Sequence, residues 1–201
     1  MIARRLRARW AGPLAADTTG AAAIEFALVA PVFMLLLLGL GDLGHMVYVK
    51  SVLNGAVEDA ARSGSLETAD TTAIDNAVKA RIAPVVPNAT VSTTRRSYFD
   101  FADINRAEKW TDSNNNGTCD NGENYIDENK SGSWEANVGR ASNGSAGDVV
   151  LYTVTVSYQP VFTAKFMSNW GSTRSLSATA VRKNQPFADQ SSYGSSAGTC
   201  R

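Results

Sequence analysis

Side-chain oxygens recur at alternate positions around a glycine in the stretch 112–123. The candidate ligands are Asp112, Asn114, Asn116, Thr118 (through its backbone carbonyl), Asp120 and Glu123. Calcium binds about six to eight hard oxygen ligands, and one continuous loop can supply them only if the chain turns sharply, which Gly117 permits. The spacing therefore predicts a calcium site formed by this loop.

The same residues fit the register of a twelve-residue EF-hand calcium loop, at positions 1, 3, 5, 7, 9 and 12, with Gly117 at position 6. A second stretch repeats the phase fifteen residues later, at positions 1, 3, 5, 7 and 9, with Asp127, Asn129, Ser131, Ser133 and Glu135. Position 12 of this second stretch is Val138, so a bidentate carboxylate is missing. One hypothesis is that the two loops share a ligand, Glu123 or Glu128.

Both loops lie in a long polar segment, 103–147, with no helical pattern beside either loop. We therefore predict an EF-hand-like calcium loop, with one calcium site and a second left open, and not an EF-hand domain. The alternative interpretation is a solvated linker rich in Asn and Gly.

One carboxylate, Glu25, interrupts an apolar run from Gly20 to Gly41. A run of about 20 apolar residues spans the hydrocarbon core of a bilayer, and an unpaired charge inside it costs several kcal/mol. Two interpretations follow. Glu25 stays hydrated at the headgroup level, or it belongs to a recognition signal.

No catalytic constellation is present in the sequence, which has a single histidine, His45, and no glycine-rich phosphate loop after a strand. We therefore predict that the protein is not an enzyme. The two cysteines, Cys119 and Cys200, allow a disulfide in an oxidising compartment or two unpaired thiols.

Charge is balanced, with 19 basic and 19 acidic residues, but four arginines and one aspartate precede Ala21. No basic patch or stripe follows, which argues against nucleic acid as a partner. The arginines favour a cytoplasmic N-terminus, with the rest of the chain outside. A cleaved secretory signal is the rival interpretation, but the apolar run is too long and 42–50 offers no cleavage motif.

Hydrophobic periodicity predicts an α+β fold. The membrane helix continues past Val49 as an amphipathic helix that stops at Gly64, and a second helix covers 70–83. Alternating apolar residues predict antiparallel strands that pack on the helix. These strands cover 89–99, 148–160 and 175–183. The Ser- and Gly-rich tail, 190–201, is predicted to be flexible.

A glycine followed by small residues, with Glu at the fifth position and Phe at the sixth, resembles the processing site of type IV pilin-like proteins. In detail the segment looks like that of TadE-like minor pilins, or pseudopilins, of the Tad/Flp tight-adherence pilus. The match carries over to Gly20, Ala21, Glu25 and Phe26. The ending at 181–187 also resembles the Arg-Asn-Glu-Pro-Phe ending of that family, with Gln185 in place of Glu.

This resemblance implies that a prepilin peptidase removes a basic leader, 1–20. Residues 21–49 would then be the transmembrane and assembly helix, which contacts other pilin subunits, and 50–189 a pilin-like head. Tandem Asp/Asn/Gly loops also look similar to those of many TadE-like proteins.

The implied location is the bacterial inner membrane, with a single span, an extracytoplasmic head and a place at the base of the fibre or in it. The implied function is Tad-type pilus assembly, secretion and adherence. The alternative is an unprocessed, membrane-anchored adhesin or envelope protein ordered by calcium.

Overall fold

The computed structural model describes residues 20–66, 69–160, 173–185, 189–190 and 192–201. The predicted leader, apart from Gly20, and the end of the 181–187 motif lie outside the described residues. The chain divides into two compact units, one ending at His45 and the other starting at Met46.

The first unit contains the apolar part of helix α1, Ala21–Gly64. The helix includes a window of 18 residues with a mean hydropathy of 2.4, none of which is buried, so it is long and apolar enough to cross a membrane. Its large apolar side chains are exposed, as Leu28 and Phe26 show at 74% and 67%. Such an exposed surface is compatible with a single-pass membrane anchor.

In the second unit, the outer part of α1 buries one face, as its periodicity predicts. Val49, Leu53 and Val57 are almost completely buried, while Glu58 and Asp59 are exposed. The buried face packs in one hydrophobic cluster with side chains of the sheet and of the second helix. The α+β prediction, a long helix with a small antiparallel sheet, is confirmed at this level.

Three antiparallel strands form the larger sheet of the described residues, in the order β1–β3–β4. They are β1, Thr90–Tyr98; β3, Val149–Tyr158; and β4, Arg174–Lys183. Central strand β3 pairs Tyr152 with Arg95 of β1 and with Ala180 of β4. Its even-numbered side chains, from Val150 to Tyr158, are buried, because successive residues of a strand face opposite sides.

The second helix, α2, covers Thr71–Ile82. Asp70 caps its start by accepting hydrogen bonds from the N–H groups of Thr72 and Ala73, at 2.9 and 3.1 Å. Val78 and Ile82 are buried in the same cluster as α1. Pro84 follows shortly after the end of the helix, where a proline cannot continue it.

The segment 103–147 and the tail are more ordered than composition suggested. A short 3₁₀ helix, Phe101–Asp103, precedes strand β2, Asn124–Asp127, and β2 pairs with strand β5, Ser196–Thr199, of the tail. The prediction of a flexible tail therefore differs from the structure. Backbone hydrogen bonds define β5, and Ser and Gly residues give no strand pattern in the sequence.

A partly buried ionic network joins α2 to the sheet through Asp75. Arg95 donates two hydrogen bonds to its carboxylate, at 2.6 and 3.0 Å, and the Tyr152 hydroxyl donates a third at 2.7 Å. Thr93 donates a fourth at 2.9 Å. Burial alone would raise the pKa of Asp75, but these hydrogen bonds outweigh it and hold the pKa below its ordinary value. Burial and the Asp75 carboxylate raise the pKa of Tyr152.

We expect Asp75→Asn to lower the free energy of unfolding by about 2–3 kcal/mol, because it leaves Arg95 without its carboxylate. The measurement is urea unfolding of the full chain in detergent. Since the folded pKa of Asp75 is depressed, its contribution is present above about pH 4, the unfolded pKa, and is lost as the pH falls through the folded value. The difference between the two proteins should therefore shrink in acid.

The matched control is Asp59→Asn. Asp59 pairs with Arg81 on the surface, where both side chains are more than half exposed. Such pairs contribute about 0–1 kcal/mol, so this variant should unfold close to wild type. Equal losses for the two variants would contradict the role given to Asp75.

Candidate functional site

The start of α1 brings together the residues of the predicted processing signal. The carbonyl of Gly20 accepts hydrogen bonds from the N–H groups of Ala23 and Ile24, each at 3.2 Å, so Gly20 lies directly before the first turn. A side chain built at Gly20 would meet nothing within 4 Å, so this peptide segment is open. Glu25 and Phe26 are exposed, and Glu25 has no hydrogen-bond or ion-pair partner among the described residues.

The first calcium-type loop, 112–123, is closed by hydrogen bonds to its own carboxylates. Asp112, at position 1, accepts from the N–H groups of positions 5 and 6, Asn116 and Gly117, at 3.1 and 2.8 Å. Glu123, at position 12, accepts from the N–H groups of positions 2 and 9, at 2.7 and 3.0 Å. The loop therefore already turns its carboxylates inward.

The carboxylate at position 9 of this loop, Asp120, also has donors. The side-chain amides of Asn114 and Asn116 donate to it at 2.7 and 2.6 Å. These hydrogen bonds, that of Asn114 first, lower the pKa of Asp120, so the carboxyl group favours its charged form.

The second loop, which starts at Asp127, repeats this geometry. Asp127 accepts from the N–H groups of positions 5 and 6, Ser131 and Gly132, each at 2.9 Å. The Asn129 side-chain amide donates to the Glu135 carboxylate, as Asn114 does to Asp120. Position 4 and the glycine at position 6 have positive φ in both loops, at Asn115 and Gly117 and at Lys130 and Gly132. The repeat seen in the sequence is thus also a repeat of conformation.

The hypothesis that Glu128 is a shared ligand does not fit its contacts. Arg106 donates two hydrogen bonds to the Glu128 carboxylate, each at 2.9 Å, and the Lys109 N–H donates a third at 3.1 Å. Burial alone would raise the pKa of Glu128, but the hydrogen bonds from Arg106 and Lys109 hold it below its ordinary value. Glu123, in turn, is engaged inside the first loop.

The donor set of both loops consists of carboxylate, amide, hydroxyl and backbone oxygens, which is the chemistry that calcium prefers. Within the described ranges, no three His, Cys, Asp or Glu side chains already converge as a metal cluster. The Asp carboxylates instead accept backbone N–H groups, and neutral oxygens would have to provide part of a calcium shell. The residues present fit calcium by type and order.

A disulfide joins Cys119, at position 8 of the first loop, to Cys200 beside β5, with a Cα–Cα distance of 5.8 Å. The backbone reinforces this junction, because the Gly122 N–H donates to the Cys200 carbonyl and the Cys200 N–H to the Glu123 carbonyl, at 3.0 and 2.8 Å. The first loop is therefore fixed to the end of the chain.

These features define a class of protein: one helix that is fit to cross a membrane continues into a small α+β head with two polar loops. Residues 20–62 match the family model of TadE-like proteins. The match covers most of α1 and none of the strands.

The TadE-like family is structural, and its members are pilin-like proteins associated with the Tad pilus. No curated protein and no solved structure matches the chain.

We expect the double variant Cys119→Ser/Cys200→Ser to lower the free energy of unfolding by about 2–5 kcal/mol under oxidising conditions. The bond closes a segment with a sequence separation of 81 residues, and its loss releases the unfolded chain. Denaturant unfolding of the full chain in detergent measures the difference. With a reducing agent present, wild type and variant should unfold alike. Identical midpoints under oxidising conditions would show that the bond contributes no stability.

Proposed function

We propose that the protein is a minor pilin of a Tad-type pilus, inserted in the bacterial inner membrane and processed after Gly20 by a prepilin peptidase. This proposal rests on one observation: the start of the family match and the start of helix α1 nearly coincide. The family match begins at Gly20, and α1 begins one residue later, at Ala21. A peptidase that cuts there releases an intact helix. Gly20 is exposed, as a cleavage site has to be.

Processing would also give Glu25 a partner. Cleavage creates a free α-amine at Ala21, and an amine of a neighbouring subunit can pair with the carboxylate at the fifth position of the new N-terminus. A carboxylate in the membrane without such a partner is costly. Glu25 is exposed and has no partner among the described residues, so its charge is available for a contact between subunits.

The orientation follows from the charges before the helix. Four arginines precede Ala21, and basic residues are retained on the cytoplasmic side. The head would then fold outside the cytoplasm, in a compartment that favours the Cys119–Cys200 bond. In this position the head can take part in fibre assembly and adherence.

We further propose that calcium orders the polar loops of the head. Asp112, Asp120 and Glu123 would hold the ion in the first loop, together with oxygens of Asn114, Asn116 and Thr118. Calcium would supply the positive charge that these carboxylates lack, and would thereby stabilise a loop that has little apolar core. Extracellular calcium sites have a Kd on the order of 10⁻⁴–10⁻³ M.

The processing proposal predicts a mature N-terminus at Ala21, measured by mass spectrometry of the protein from its native membrane. We expect Glu25→Ala to reduce pilus production strongly, since the contact between subunits loses its charge. The control is Glu58→Ala on the same helix, whose exposed side chain pairs with Arg182, and it should leave pili unchanged. Normal processing and normal pili in the Glu25 variant would defeat the proposal.

An intact N-terminus that begins at Met1, together with calcium-dependent attachment to surfaces, would instead support the second candidate function. That candidate is an unprocessed adhesin or envelope protein. The observation that favours it is the repeated loop geometry of the head, which does not depend on cleavage.

The calcium proposal predicts a higher midpoint of thermal unfolding when calcium is added to the full chain in detergent. At 100 times the Kd, one site adds about 2.7 kcal/mol to the free energy of unfolding. Magnesium at the same concentration should add less, because it demands a smaller, octahedral site. The variant Asp112→Asn should lose the contribution of the first loop. An unchanged midpoint of the wild type across the calcium titration would refute the proposal.

A further inference from the structure

The head contains a cavity of about 550 Å³ that neither the processing signal nor the calcium proposal uses. Residues of the second calcium-type loop and of strand β5 line it, together with the Cys119–Cys200 bond. Ligand pockets in proteins measure about 300–1,000 Å³ and combine aromatic walls with a few polar groups. The lining of this cavity has both components.

The aromatic part of the lining consists of Trp134 and Tyr125. Trp134 is partly exposed, and its indole N–H donates to the Glu108 carbonyl at 3.2 Å. Its ring meets the Trp110 ring nearly edge-on, with 5.3 Å between the ring centroids. The Tyr125 ring lies against the backbone of Gly198, where an added Cβ would come within 2.4 Å of it. These contacts orient both rings before any ligand binds, which reduces the entropy that binding costs.

The polar part of the lining is basic and carries hydroxyl groups. Arg201 is exposed, and the exposed side chains of Ser133 and Thr199 each offer a hydroxyl that can donate and accept. None of these three side chains has a hydrogen-bond or ion-pair partner in the part of the chain that the structure describes. No Asp or Glu side chain is among the described residues that line the cavity. One positive charge and two hydroxyl groups are therefore available to a ligand.

These properties define the chemistry of that ligand. The C–H groups on one face of a sugar ring can pack on the electron-rich face of an indole, and sugar hydroxyls exchange hydrogen bonds with Ser and Thr. A carboxylate completes the match, since arginine binds carboxylates with paired N–H donors. A neutral sugar would leave the charge of Arg201 unused, and an aromatic acid would leave the two hydroxyl groups unused.

We infer that this cavity binds an acidic sugar of the hexuronic acid type, with its ring on Trp134 and its carboxylate on Arg201. A free uronic acid and a uronic acid residue of a polysaccharide both supply this chemistry. The site depends neither on cleavage after Gly20 nor on calcium, and it thus goes beyond the proposed pilin function.

The test is ligand-observed NMR by saturation transfer, on the full chain in a detergent without a sugar head group. The probes are glucuronate and galacturonate, free and as short oligomers, with glucose and galactose as their neutral counterparts. Wild type should bind at least one uronate saturably, with a Kd on the order of 10⁻³ M for so small a ligand. The matching neutral sugar should bind at least about tenfold more weakly, because it forms no charged hydrogen bond. Binding of oligomers alone would identify a polysaccharide as the source.

Two variants separate the roles of the ring and the charge. Arg201→Gln should abolish the preference for the uronate over the neutral sugar, and its exposed position makes a folding defect no concern. Trp134→Ala should weaken both sugars at least about tenfold, because both lose the packing surface. The matched control is Lys183→Gln, which removes an exposed positive charge outside the cavity and should leave every affinity unchanged. If Trp134→Ala does not fold, the Arg201 variant decides alone.

No saturable binding of either uronate, free or oligomeric, would overturn the inference. So would equal affinities for uronate and neutral sugar, or a preference that survives in Arg201→Gln. Tighter binding of benzoate than of both uronates would overturn it in favour of an aromatic acid. None of these outcomes bears on the proposed function, because N-terminal processing, pilus production and calcium binding are measured separately.

Discussion

Helix α1 has an apolar surface along its whole length, but the distribution of that surface changes near Val49, and the rest of the structure depends on this change. Up to Tyr48, α1 exposes large apolar side chains on all sides, which only a lipid or protein environment can cover. From Val49 onward it has a single apolar face, and burial of a side chain such as Leu53 stabilises the fold by about 2 kcal/mol. The sheet and α2 cover that face, and hydrogen bonds to the Asp75 carboxylate link α2 to the sheet.

The polar segment of the head is held together by a different kind of interaction. Its loops contain few apolar residues, and their N–H groups are satisfied by carboxylates such as Asp112 and Asp127. A conformation that concentrates negative charge favours cations in general. Arg106 forms ion pairs with two carboxylates of this segment, Glu128 and Asp103, that are not among the predicted calcium ligands.

Local patterns allowed much of this structure to be predicted. The period of α1 beyond Val49 and the alternation along β3 each depend on neighbours in the sequence, and the structure agrees with both. The roles of Asp112 and Asp127 as calcium ligands stay predictions; in the structure each carboxylate accepts N–H groups of positions 5 and 6 of its own loop. Strand β5 and Glu108 were missed because each has a distant partner. No local pattern shows that the buried Glu108 carboxylate accepts hydrogen bonds from a loop that begins nineteen residues later, at Asp127.

The bond between Cys119 and Cys200 has a mechanical consequence for the chain. A chain pulled from both sides of this bond transmits the load through it. Strands β3 and β4 lie inside the closed segment and carry no tension along their backbone. About 280 Å of extended chain, at roughly 3.5 Å per residue, is thereby withheld from stretching.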